Sequence, residues 1–104
     1  MKKRFIVATN ATTAIEDKAF KDKLAAEFPG VGWWHRLDEL WLILDHQGRF
    51  DAKRLRDIAS EVFSGKKLLV IEINEVGDTW AGLGTSATVK EMFEWLHTQW
   101  TVTK

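Results

Sequence analysis

At 104 residues the chain is long enough for one packed domain and too short for two of ordinary size. Its 15 basic side chains are matched by 15 acidic ones, which argues against dedicated non-specific nucleic-acid binding, where phosphate neutralisation calls for a basic excess. It has no cysteine, which excludes disulfides, thiolate metal sites and a cysteine nucleophile.

The start, Met1-Lys2-Lys3-Arg4, is basic, but the apolar run Phe5 to Ala8 is too short for the core of a signal peptide. No apolar stretch approaches the roughly 20 residues that span a bilayer. A cytoplasmic chain with no membrane partner is expected. Residues 4–9 are β-branched and aromatic and read as a first strand. Thr13-x-x-Glu16 is a capping-box pattern that opens a helix, with Ile15, Ala19, Phe20, Leu24 and Phe28 as its apolar stripe. Pro29-Gly30 stops that helix.

Residues 33–37 and 40–44 form a tryptophan-rich hairpin joined by Asp38-Glu39. Asp51 is placed to cap a second helix, whose stripe is Leu55, Ile58, Ala59, Val62 and Phe63 and which Ser64-Gly65 ends. Residues 66–74 read as a fourth strand, with Leu69, Ile71 and Ile73 on one face and Leu68 and Val70 on the other. Residues 80–83 read as a short fifth strand. Thr88-x-x-Glu91 then opens a last helix striped by Val89, Met92, Phe93, Leu96 and Trp100. The fold class is therefore α+β. It is a ferredoxin-like βαββαβ arrangement with an extra short C-terminal strand and a C-terminal helix, as a single domain over residues 1–104.

Strand three carries Leu40, Leu42 and Leu44 on one face and Trp41 and Ile43 on the other, so both faces are apolar. A sheet with helices on one side and water on the other would alternate apolar with polar. The second face is thus expected to be covered by the C-terminal helix, by another subunit, or by both.

With strands one and three taken as parallel, Asn10, Thr12, Asp45, His46, Lys66 and Lys67 gather at one end of the sheet. With Arg49 they make the candidate nucleic-acid or anion site, beside the N-terminus of the first helix. Helix capping and solvation explain the same residue types. Asp45 is the one carboxylate placed there, too few for a hydrolytic metal centre unless a dimer brings two copies of it together. His35, His46 and His97 lack ligand spacing. No catalytic residue, metal or cofactor is assigned. Of the six tryptophans, Trp34, Trp41, Trp80, Trp95 and Trp100 are the candidates for an interface, with core filling as the competing role, favoured for Trp41.

The run Gly32-Trp33-Trp34-His35-Arg36-Leu37-Asp38-Glu39-Leu40-Trp41-Leu42-Ile43, followed by Leu55-Arg56-Asp57, Leu68-Leu69-Val70 and Trp80-Ala81-Gly82, resembles small bacterial and phage proteins labelled SinR-like. That group is similar to the ferredoxin-like small subunit of the CRISPR adaptation complex and to VapD-type ribonuclease toxins. The resemblance implies a homodimer, with DNA or RNA as a further partner. In the nuclease relatives an aspartate linked to metal and catalysis ends strand one. Here Thr9-Asn10 stands there, and an Asn supplies neither the charge nor a general base. A non-enzymatic homodimeric module is the leading expectation. A nucleic-acid binder or a degenerate metal-dependent nuclease is the alternative.

Overall fold

The computed structural model describes residues 2–73 and 94–100. The chain divides into two compact units, Met1–Ile73 and Asn74–Lys104. In the first, the elements are β1 (Lys3–Thr9), α1 (Ala14–Glu27), β2 (Gly32–Leu37), β3 (Leu40–Asp45), α2 (Ala52–Val62) and β4 (Leu68–Ile73). The sheet order is β2-β3-β1-β4, and each neighbouring pair is antiparallel. This is the βαββαβ order of the ferredoxin-like architecture. In the second unit the described residues hold a π-helical turn, Leu96–Trp100, with Leu96 and Trp100 buried. The expected fifth strand at residues 80–83 and the capping box at Thr88 and Glu91 lie outside the described residues.

The antiparallel pairing of β1 with β3 corrects the expected parallel one. A parallel partner of β1 must lie beyond a crossover connection. The crossover through α1 leads to β2, which is parallel to β1 but two places away, and the hairpin then inserts β3 between them.

Local chemistry starts and ends the helices where the sequence places them. Thr13 caps α1, its hydroxyl accepting from the Glu16 amide at 3.1 Å while the Glu16 carboxylate accepts from the Thr13 amide at 2.9 Å. Asp51 caps α2 by accepting from the Arg54 amide at 2.8 Å. Gly30 and Gly65 follow the two helices at φ +86° and +75°, the left-handed region that glycine enters without strain.

The core lies between the helices and one sheet face. It joins Phe5 and Val7 of β1 and Trp41 and Ile43 of β3 to Phe20 and Leu24 of α1 and Leu55, Ile58, Ala59 and Phe63 from α2 and its C-cap. Rings interlock there: Phe20 meets Trp41 edge-on at 5.1 Å and Phe63 at 5.0 Å, and Phe5 stacks on Phe50. Arg54 to Glu27 at 2.5 Å and Lys23 to Glu61 tie the helices together at the surface.

Two residues of the expected α1 stripe are misassigned, since Ala19 is exposed as well as Ile15. Ile15 is 84% exposed. At about 100° per residue it stands about 180° around the helix from Leu24. The inward stripe is instead Asp17, Phe20, Lys21, Leu24 and Phe28, so two charged residues face the rim of the core.

Trp41 is completely buried, and its indole N–H has no acceptor among the described residues. Burying an indole contributes on the order of 4–5 kcal/mol, against about 1–3 kcal/mol for an unpaired buried donor, so burial wins. Urea denaturation should therefore show Phe20→Ala losing about 3–5 kcal/mol. Trp41→Phe should lose far less, because the lost area is offset by removal of the unpaired N–H.

Candidate functional site

The antiparallel frame separates the residues expected to converge. Asn10, Thr12, Lys66 and Lys67 lie at the end of the sheet where β1 finishes and β4 starts. Asp45, His46 and Arg49 lie where β3 finishes, beside the start of β1, since Lys3 pairs with Asp45. A strand the length of β1 separates the two groups by about 20 Å. They do not form one site.

At the Asp45 end the carboxylate is fully buried. It accepts from the amides of Gln47 at 3.2 Å and Phe50 at 3.1 Å, from the Arg49 amide, and from the Arg49 Nε at 3.3 Å. The Arg49 side chain also donates to the Pro29 carbonyl at 3.0 Å and lies over the Phe28 ring at 5.4 Å. Asp45 thus folds the β3–α2 loop around itself, and both its oxygens are occupied by the loop. His46 is exposed. Among the described residues no group of three or more His, Cys, Asp or Glu is placed to hold a metal.

At the opposite end Asn10 clasps β1 to the start of β4. Its side-chain oxygen accepts from the Lys67 amide at 2.7 Å, and its own amide donates to the Lys67 carbonyl at 3.1 Å. The Lys66 ammonium donates to the Ala11 carbonyl at 2.6 Å and lies 3.6 Å from the Glu16 carboxylate. Glu16 and Asp17 occupy the first turn of α1. Their negative charge stands where an anion would bind.

Sequence reasoning missed a polar junction where α1 meets the hairpin. The His35 ring lies flat on Trp41, with centroids 3.8 Å apart and planes 4° from parallel. Its Nδ1 is 2.9 Å from the Leu40 carbonyl and its Nε2 is 3.3 Å from Asp17. Thr12 donates to the same Asp17 carboxylate at 2.6 Å. Lys21 Nζ sits 4.4 Å from the Trp33 ring centroid, in cation–π range. Both nitrogens of His35 are engaged within the chain, so the ring joins helix to hairpin and does not present a free base. The helical period places Asp17 and Lys21 on the Phe20–Leu24 stripe, and that signal would have found the junction.

The tryptophans divide between the two expected roles, with Trp41 in the core as favoured. Trp34, Trp41 and Trp100 are buried within the chain itself, which removes them as anchors for another molecule. Trp95 is half-buried, 6.2 Å from the Trp100 ring. Trp80 lies outside the described residues. The exposed tryptophan of the hairpin is Trp33, on the helix side.

The second sheet face is uneven. Across the strands, the register aligns Leu44, Arg4 and Ile73; then Trp34, Leu42, Ile6 and Ile71; then Leu37, Leu40, Ala8 and Leu69. Leu44, Arg4, Trp34 and Leu42 are buried, whereas Leu37, Leu69 and Ile71 are 55%, 59% and 46% exposed. The buried part thus lies toward the Leu44–Arg4 end of this face, and the open part runs across its other end and along β4. Leu37 reaches this face through a register shift in β2: it stands three positions after Trp34, while their partners Leu40 and Leu42 are two apart. This is a β-bulge, one extra residue that resets the alternation.

No protein-family model, curated protein or solved structure matches this chain. Among the described residues no helix is long and apolar enough to cross a membrane.

Two outcomes test these assignments. Asp45→Asn should lower the urea-unfolding free energy by about 2–3 kcal/mol, because the loop amides and the Arg49 guanidinium lose a charged acceptor. The second concerns Glu16, whose carboxyl is held below its ordinary value first by the Thr13 backbone N–H and, against some desolvation, by the nearby Lys66. A lowered folded-state value means its stabilisation is present above the ordinary carboxylate range and is lost as pH falls through the lowered one. Glu16→Gln should flatten that acid limb of a stability–pH profile.

Proposed function

We propose that the chain is a non-enzymatic interaction module that pairs with a second copy of itself through the open end of its second sheet face. The observation that carries this is the contiguous apolar row Leu37, Leu40, Ala8 and Leu69, with Ile71 beside it. Two of the row's four residues, and Ile71, are exposed leucines or isoleucines. A contiguous apolar patch of this kind marks an interaction surface, whereas single exposed apolar residues do not. The dimeric lineage implied by the Trp33-Trp34-His35 hairpin supports the same reading.

The alternative, nucleic-acid binding through Arg49, Lys66 and Lys67, has less support. Arg49 and Lys66 are engaged with backbone carbonyls and carboxylates of the chain, and they lie at opposite ends of the sheet. It would show itself as salt-dependent binding of short DNA or RNA that Lys66→Ala and Lys67→Ala weaken.

Sedimentation equilibrium of the full chain at micromolar concentration is the direct test. The expected result is a dimer that Leu69→Lys or Ile71→Lys weakens at least tenfold, about 1.4 kcal/mol. The urea midpoint should stay close to that of the parent chain, since both side chains are exposed in the protomer. A parent chain that sediments only as monomer overturns the reading.

A further inference from the structure

The open row carries information about orientation as well as association, and the orientation rests on self-association through that face. Along the row, the turn Asp38-Glu39 joins the end of β2 to the start of β3, whereas Lys67 immediately precedes β4. All three charged residues are exposed. The Thr9 amide donates to the Glu39 carbonyl at 2.9 Å and the Asn10 amide to the Lys67 carbonyl at 3.1 Å. The acidic turn and the lysine therefore stand at one level along the strands, on either side of β1. One side of the patch is rimmed by acid and the other by base, about two strand spacings, or ~10 Å, apart.

We propose that two copies pack face to face about a two-fold axis parallel to the strands, so that Asp38 and Glu39 of each copy face Lys67 of the other. Rotation about that axis reverses the row left to right. Leu37 of one copy then lies over Leu69 of the second copy, and Leu40 over Ala8, a large side chain against a small one. A two-fold axis along the row instead keeps the two acidic turns on the same side of the contact, away from both lysines, and sets Leu40 over Leu40, which costs both in charge and in packing. Over the open row the two sheets approach to the usual separation of about 10 Å, with strands aligned to within about 30° because each sheet is twisted. The contact is isologous: the same patch serves both copies.

Charge reversal reads this geometry directly. The double variant Asp38→Lys/Glu39→Lys, and separately Lys67→Glu, should each weaken the homodimer about tenfold or more in sedimentation equilibrium at low salt. An equimolar mixture of the two variants should recover association to within a few-fold of the parent chain, because every acid–base contact is restored between unlike copies. Circular dichroism of each variant alone checks that the protomer is intact, since all three positions are exposed. If the parent chain dimerises and neither reversal weakens it, or if the mixture fails to recover, this orientation is wrong and self-association by another geometry stands. If the parent chain is a monomer, the orientation and the reading beneath it both fail.

Discussion

Trp41 is packed from three directions, and the first unit is organised around those contacts. Phe20 of α1 meets it edge-on, His35 of β2 lies flat against it, and the core of β1 and β3 surrounds it. An edge-on aromatic contact and a stacked imidazole each fix the angle as well as the separation of the elements that supply them. Helix, hairpin and sheet are therefore mutually oriented at one side chain. The Asp17–His35–Leu40 bonds add direction to that junction without drawing polar atoms into the apolar interior. The unpaired indole N–H is the cost of using the largest side chain for this purpose, and the area it buries outweighs that cost.

The two ends of the sheet are closed by different means. At one end a buried carboxylate gathers the amides of its own loop, and Arg49 carries the same tie to Pro29 and Phe28. At the other, Asn10 acts as a backbone surrogate that extends the β1–β4 pairing by one step. Residue types that suggest chemistry in a sequence, an aspartate, an arginine and an asparagine in loops, here satisfy buried or terminal backbone groups. Among the described residues, the face turned away from the helices keeps an exposed apolar row at Leu37, Leu69 and Ile71.

The order of elements is legible in the sequence because each is bounded by strong local signals. The Thr13 and Asp51 caps, Pro29-Gly30 and Gly65 stand where the structure starts and stops its helices. The two-sided apolar character of β3 is equally plain, and it leads to the open sheet face. Strand direction is not legible locally, since β1 and β3 read alike whichever way they run, and a parallel assignment puts Asp45 and His46 at the wrong end. Ile15 reads as core when spacing is matched residue to neighbour, without following the drift of 100° steps over nine residues. The bulge is hidden for a further reason. It depends on the pairing of β2 with β3, and no residue in Trp34-His35-Arg36-Leu37 announces it.

That bulge also shapes one border of the sheet. Within the described strands β2 and β4 are the two borders of the sheet. Open-ended growth would require the β4 border of one copy to dock against the β2 border of the next. The kink and extra twist between Trp34 and Leu37 leave β2 a poor template for a further strand. The same irregularity turns Leu37 onto the apolar face. A single inserted residue thus makes that edge a poor site for strand addition while enlarging the apolar area of the second face.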